Sequence, residues 1–348
     1  MKVMCAMSGG VDSSVAALLL QRAGHEVVGV TMKLWGGDSD SGCCSVSDVD
    51  DARRVAQQLG IDHLVFNFGD DFDEHVVIPY VEAHTRGATP NPCIECNRSV
   101  KFARLAERAD LLGFDAVATG HHARIARTPT GRYRLTRGAD PAKDQSYVVH
   151  MLDQAKLART MFPVGGMLKS DVRALAASID LRTADKPDSQ DVCFITSTGG
   201  REAFLGDRIP FRAGSVVDGD GAPVGSVESV ELVTIGQRKG LGLPGGGPKR
   251  YVVDVDTSTA TVTVGTDADL RRDRLVVHDV GWVDRPVDGA VLVQCSAHGA
   301  AQSAQLHPGE HGTVHVVWDE PQRRVAPGQS VVFYDLDDLG VLGGGRCG

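Results

Sequence analysis

The chain has 348 residues, of which 42% are hydrophobic and 23% charged, with a formal net charge of −9; this is a globular composition with enough apolar residues for two or three cores. The acidic balance excludes indiscriminate polyanion binding, so any nucleic-acid partner must be met by a local basic patch. With no apolar run of about 18 residues and no basic-then-apolar leader pattern, the expectation is a cytoplasmic protein without a membrane span.

From residue 1 to about 195, strands alternate with helices. Candidate strands are Lys2–Met7, Glu26–Leu34, His63–Phe68 and Ala116–Thr119, and candidate helices lie near 12–23, 48–59, 71–84 and 98–112. This alternation predicts an α/β unit whose parallel sheet has helices on both faces. Gly24, Gly60 and Gly113 stand just past helical patterns, as C-terminal caps do.

The first strand runs into Ser8-Gly9-Gly10-Val11-Asp12-Ser13 and then into a helix. Two glycines let the backbone approach a ligand, and the helix offers unpaired amides and the positive end of its dipole, so the turn is built for a phosphate or pyrophosphate. It is neither the Walker loop, which needs a lysine in the turn, nor the dinucleotide fingerprint. Ligands of open sheets lie beyond the carboxyl ends of the strands, where Met32, near the end of the second strand, could offer backbone groups to an adenine.

Between the third and fourth strands comes Thr89-Pro90-Asn91-Pro92-Cys93-Ile94-Glu95-Cys96-Asn97-Arg98. Two prolines stiffen this loop. Cys96 is expected just before a helix whose dipole, with Arg98 and Lys101, lowers its pKa and makes it a nucleophile. Cys193 lies in a second polar segment, Asp188-Ser189-Gln190-Asp191-Val192-Cys193. Two such thiols suggest sulfur chemistry, one carrying a persulfide and the other resolving it, although Cys193 alone is as readily a small buried hydrophobe. A second reading puts an iron-sulfur cluster on Cys93, Cys96 and Cys193; a zinc site lacks a fourth ligand in the pattern. The adjacent Cys43-Cys44 and the pair His121-His122 read as incidental, with metal or phosphate ligation the alternative for the histidines.

After about residue 197 helical periodicity fades. Ser215–Asp218, Tyr251–Asp256, Thr261–Gly265, Val291–Cys295, Gly312–Trp318 and Ser330–Tyr334 read as strands of antiparallel sandwich or barrel modules. Pro244–Pro248 reads as a loop inside this half, and a boundary near 266–272 splits it in two.

Several motifs together resemble one family. They are Ser8–Ser13, Asn91-Pro92 with Cys96-Asn97, Thr119–Arg124, Lys143-Asp144-Gln145-Ser146-Tyr147, Asp191–Ile195, Thr234–Gly242 and Ala326–Ser330. The first is shared by ATP pyrophosphatases at large; the set resembles the tRNA-specific 2-thiouridylases, which replace the C2 oxygen of the wobble uridine by sulfur. The resemblance implies an ATP-binding domain over 1–196, a central β domain over 197–268 and a tRNA-binding β-barrel over 269–348, with tRNA gripped by all three. It implies Cys96 as nucleophile, Cys193 as persulfide carrier, and a disulfide between them after turnover. ATP would be bound by Ala6, Met7, Ser8, Gly9, Gly10, Val11, Asp12, Ser13, Met32 and Gly120, with Mg2+. Asn91, Pro92 and Cys93 would meet the target base, and His121, Lys143, Asp144, Gln145 and Gln329 would contact tRNA. A persulfide sulfur-donor protein is the second implied partner. The chain departs from the family pattern at Cys93, where many members have Asp, leaving the acid/base residue unassigned, and at Ala297-His298-Gly299, where an Arg-Tyr pair often contacts tRNA.

Two other readings compete. Another adenylating pyrophosphatase would need neither the cysteines nor the barrel. A metal-stabilised RNA-binding module would bind tRNA without turnover.

Overall fold

The computed structural model describes residues 1–35, 46–188, 192–196, 199–244 and 247–348, with backbone only at 46, 193 and 196. The Cys43-Cys44 pair, the thiol of Cys193 and part of the Pro244–Pro248 loop fall outside the described residues.

The first unit is the expected α/β layer structure. β1 (Lys2–Ala6) leads to α1 (Val11–Arg22), β2 (Glu26–Lys33), α2 (Val46–Leu59) and β3 (Asp62–Asn67). A helical run from Gly69 to Thr85 and another from Pro92 to Leu111 precede β4 (Ala116–Ala118). A hairpin of β5 (Ala123–Arg127) and β6 (Tyr133–Arg137), the short β7 (Thr160–Met161) and the helix Lys169–Ser178 follow. The sheet is parallel in the order β3-β2-β1-β4-β7.

β1 is central, and its alternate residues divide between two cores: Val3, Cys5 and Met7 pack with α1, while Met4 and Ala6 pack with Phe68, Phe72 and Val100. A strand covered on both faces must be apolar throughout, which is why Val3-Met4-Cys5-Ala6 has no alternation to read. Sequence order reverses between β1 and β4, so the turns after these two strands, Ser8–Ser13 and Thr119–His122, flank the topological switch point where such folds bind ligands.

The all-β half is a four-stranded sheet and a closed barrel. β8 (Gly214–Val217), β9 (Pro223–Val227), β10 (Tyr251–Asp256) and β11 (Thr261–Gly265) run in the order β10-β11-β8-β9 over a valine-rich core. β12 (Arg271–Trp282), β13 (Gly289–Gln294), β14 (Gln302–Pro308), β15 (Val314–Arg323), β16 (Ser330–Tyr334) and β17 (Val341–Cys347) close in the order β12-β15-β14-β13-β16-β17. The barrel does not hang free: Val332, Tyr334 and Val341 share one core with Ile94, Phe102 and Tyr147 of the first unit. Tyr147 Oη donates to the Ser330 carbonyl at 2.8 Å. No helix among the described residues is long and apolar enough to cross a membrane.

Candidate active site

The Ser8–Ser13 turn holds its own shape. Ser13 Oγ and Ser14 Oγ donate to the Gly10 carbonyl at 3.0 and 2.8 Å, and the Ser8 amide donates to Ser13 Oγ at 3.2 Å. No side chain caps α1 at Gly10, so its first-turn amides, which lack intrahelical acceptors, stay available to an anion. Gly9 has φ +73°, and a Cβ there would stand 2.4 Å from the Asp48 carbonyl oxygen. Gly120 presses on the same turn from β4: a Cβ would lie 2.7 Å from the Ser13 amide nitrogen and 2.8 Å from the Asp12 carbonyl carbon. Ala6, Met7, Val11 and Met32 are buried, and Thr31 Oγ1 donates to the Met7 carbonyl at 2.8 Å, tying β2 to the residue before the turn.

Asp12 anchors a charge network beside these amides. Its carboxylate accepts from His122 Nε2 at 3.0 Å and from Lys169 Nζ at 2.6 Å. Burial works to raise its pKa, but His122 and Lys169 outweigh it and hold the carboxyl below its ordinary range. Lys169 also pairs with Asp188 at 2.8 Å, and Asp188 with Lys143 at 2.8 Å and Arg173 at 2.7 Å. Against the cost of burial, Lys143 and Lys169 keep Asp188 well below the usual carboxylate range. Lys169 was not singled out from the sequence, yet it carries a signal: it is the first residue of a helix, where the dipole disfavours a cation unless carboxylates hold it.

The expected tRNA contacts fall into two groups. His121 stacks near Phe102 and Phe162, with ring centroids 5.7 Å from each; burial, with Lys101 and His122 adding to it, pushes its pKa down to about 3, so the ring is neutral. Gln145 Oε1 accepts from the His122 amide at 2.9 Å. Lys143 is on the surface beside Asp188. Asp144 turns inward, accepting from Arg137 Nη1 at 2.7 Å and from Ser146 Oγ at 2.8 Å. Arg137 in turn bonds Asp338 at 2.6 Å and Gln294 at 2.9 Å and stacks 3.9 Å over the Tyr334 ring, so one guanidinium fastens the 143–146 turn to the barrel. Arg137→Ala leaves Asp144 uncompensated and is expected to destabilise the protein by about 3 kcal/mol. Arg137→Lys, which keeps the charge but not the planar fork, should recover only part of this in denaturant unfolding.

Gln329 lies at the opposite junction, where its Nε2 donates to the Thr89 carbonyl and the Thr89 amide donates to the Pro327 carbonyl at 2.9 Å. The barrel thereby grips the cysteine-bearing loop. Asn91 caps the helix that follows, its Oδ1 accepting from the Cys93 amide at 3.0 Å, with Pro92 buried at the first helical position.

Here the structure corrects the expectation for Cys96. The helix begins at Pro92, not after residue 96, and Cys96 opens its π-wound stretch Cys96–Arg104, a full turn from the amides that would favour a thiolate. Arg98 lies 3.5 Å from Glu95. Cys96 is buried, and burial raises its pKa, with Lys101 opposing and Cys93 reinforcing the shift. The Val192 amide donates to Cys93 Sγ at 3.4 Å, which brings the backbone beside Cys193 onto the Cys93–Cys96 turn. Among the described residues no three His, Cys, Asp or Glu side chains form a group able to hold a metal.

Comparison with known proteins covers nearly the whole chain. The tRNA methyl transferase HUP domain model matches residues 1–197, the tRNA methyl transferase PRC-barrel domain 202–266 and the aminomethyltransferase beta-barrel domain 272–347. A tRNA-specific 2-thiouridylase MnmA of Chloroflexus aggregans is 47% identical over 99% of this chain and 97% of its own length. The protein of that name from Mycobacteroides abscessus is 49% identical over 99% and 98%. The chain belongs to the tRNA-specific 2-thiouridylase family. Among solved structures, a 4-thiouridine synthetase–RNA complex with bound ATP is 20% identical over 59% of this chain and 45% of its own, with a TM-score of 0.38. Family membership removes the competing readings, since the thiouridylase relatives span both the α/β unit and the barrel.

Proposed function

We propose that the chain is an ATP-dependent sulfurtransferase that converts C2 of the wobble uridine of tRNA to the thiocarbonyl. The observation that carries this reading is the Val192–Cys93 bond, which sets the Cys193 segment against the Cys96 turn while Gln329 and Pro327 of the barrel close on Thr89 in the same loop.

The C2 oxygen is a poor leaving group and must be activated. Uridine O2 attacks the α-phosphate of ATP, forming an O2-adenylate and releasing pyrophosphate; the α1 amides face the departing charge. Gly9, Gly10 and Gly120 keep the backbone close enough to do so, and Asp12 holds Lys169 beside it. Mg2+ would reach the site on the nucleotide, because both Asp12 oxygens are engaged by His122 and Lys169, and no step is assigned to it.

A donor protein passes its sulfane sulfur to Cys193, leaving the donor a thiol and Cys193 a persulfide. The terminal sulfur attacks C2. The Cys96 thiolate, its proton lost, then attacks Sγ of Cys193, breaking the S–S bond to the transferred sulfur and forming a Cys96–Cys193 disulfide. AMP leaves as C2=S forms. The transferred sulfur is reduced by the two electrons the cysteines lose, so a dithiol or equivalent reductant must reset the pair. The alternative cluster would use Cys93, Cys96 and Cys193, of which the Cys193 thiol lies outside the described residues. The wobble base must leave its anticodon stack to enter; Asn91, Pro92 and Cys93 are the residues assigned to meet it, with His121, Lys143, Gln145 and Gln329 on the flanking RNA and Asp144 shaping that turn from within through Arg137 and Ser146.

The test is nucleoside mass spectrometry of unmodified tRNA incubated with the protein, ATP, Mg2+ and a persulfide donor. A 2-thiouridine at the wobble position that disappears without ATP is expected. Cys193→Ser should yield none while still releasing pyrophosphate with tRNA. Thiolation surviving in Cys193→Ser would remove the carrier role, and tRNA binding without any thiolation by the native chain would overturn the proposal.

A further inference from the structure

Buried polar atoms without partners are rare, because desolvating them is not repaid. Five buried side-chain atoms without a hydrogen bond occur among the described residues, and three of them fall within the ten residues that carry Cys93 and Cys96: Thr89 Oγ1, Asn97 Oδ1 and Arg98 Nε, the last of which keeps an ion-pair contact with Glu95 at 3.5 Å. The clustering is local, whereas the other two belong to His122 and His150.

Asn97 is the most constrained of the three. It is 2% exposed, and its Nδ2 donates to the Val148 carbonyl at 2.8 Å, which orients the carboxamide and leaves Oδ1 as the open acceptor. It follows Cys93 by four residues, so the two lie on one stripe of the helix. The stretch that starts at Cys96 is π-wound, an irregularity that proteins retain at ligand sites more than elsewhere. An oriented, unsatisfied acceptor one turn from a residue assigned to the target base is built to receive a donor that arrives with the substrate.

We propose that Asn97 reads the N3–H of the target uracil through Oδ1, and so is the residue that selects uridine over cytidine. The inference rests on the reading that residues 91–93 meet the target base. Of the two pyrimidines only uracil presents a donor at N3; cytosine presents a lone pair, which would face Oδ1 and leave two acceptors opposed. Because N3 adjoins C2, the same bond turns the C2 carbonyl to a fixed angle for adenylation and sulfur attack. Thr89 Oγ1, in the same loop, is a further buried group that a polar base edge can satisfy. Oδ1 is closed to solvent in the present conformation, so the 89–95 segment gives way as the base enters, a rearrangement common where partners order a loop on binding.

The experiment is a cycle between protein and substrate atoms. Single-turnover thiolation is measured with tRNA carrying uridine or 3-deazauridine, which has C–H in place of N3–H, at the wobble position. The native protein should lose on the order of 10- to 100-fold in kcat/KM on the deaza substrate. Asn97→Leu should show a similar loss on uridine and no further loss on the deaza substrate. Asn97→Asp, which keeps an acceptor, should retain most of the discrimination and serves if Asn97→Leu does not fold, as judged by thermal unfolding. A variant without an acceptor that keeps the full uridine preference, or a native protein indifferent to N3–H, overturns the inference. Absence of thiolation by the native protein on ordinary uridine would instead overturn the underlying function.

Discussion

Gly120→Ala is expected to slow tRNA-dependent pyrophosphate release by about 100-fold, the scale of an ångström-sized misplacement of reacting groups. The added methyl would stand 2.7 Å from the Ser13 nitrogen and 2.8 Å from the Asp12 carbonyl carbon. Both neighbours are backbone, so the strain is relieved only by moving the start of α1 away from β4. That movement takes the amides off the phosphates and pulls Asp12 from His122 and Lys169, at 3.0 and 2.6 Å. Overpacking costs about 1–3 kcal/mol of stability, so the variant should still fold. Gly166→Ala is the control, because a Cβ there meets nothing within 4 Å. Equal activity of the two variants would show that close contact between the β4 turn and α1 is not what positions the nucleotide.

The sequence made legible those elements whose residues interact locally. Tyr251–Asp256 and Thr261–Gly265 alternate between turns and Ser330–Tyr334 is a short apolar run, buried throughout, and they are strands β10, β11 and β16 over those same residues. β17 was missed, since Gly343-Gly344-Gly345 looks like a turn. Those glycines exist for a distant reason: a Cβ on each would strike Gly281 O, His150 or His278 O, contacts visible only once β17 pairs with β12 in the barrel and, for His150, once the barrel docks on the first unit. β12 hid behind Arg271-Arg272-Asp273-Arg274, an exposed charged start with an irregular register against β15. The helix at Pro92 carries a local signal, because Asn followed by Pro is a cap with its first helical residue; the same prolines also suit a stiffened loop, so the pattern is ambiguous. For the candidate site, the glycine turn that opens α1 was legible as a local motif. The Asp12–Lys169–Asp188 network was not, since its members are brought together only by the sheet, and neither was the burial that reverses the expected shift of Cys96.

That reversal sets the second large effect. In the proposed reaction the nucleophile that releases the product is the Cys96 thiolate, and a thiol whose pKa is raised holds its proton through neutral pH. Burial raises this thiol, Cys93 adds to the shift and Lys101 opposes it. The sign follows: sulfur release, measured in a single turnover with Cys193 already persulfidated, should climb with pH by about tenfold per unit through the neutral range and level off only above the ordinary thiol pKa. Lys101→Gln removes the charge that opposes the shift and should displace the whole profile to higher pH, while pyrophosphate release, which precedes the thiol step, keeps its own pH dependence. Cys96→Ser should abolish product release at every pH and leave the transferred sulfur bound through Cys193. A profile flat from neutral pH upward, unmoved by Lys101→Gln, would mean that Cys96 is already ionised where the reaction occurs and that the tRNA complex, not the free protein, sets its charge.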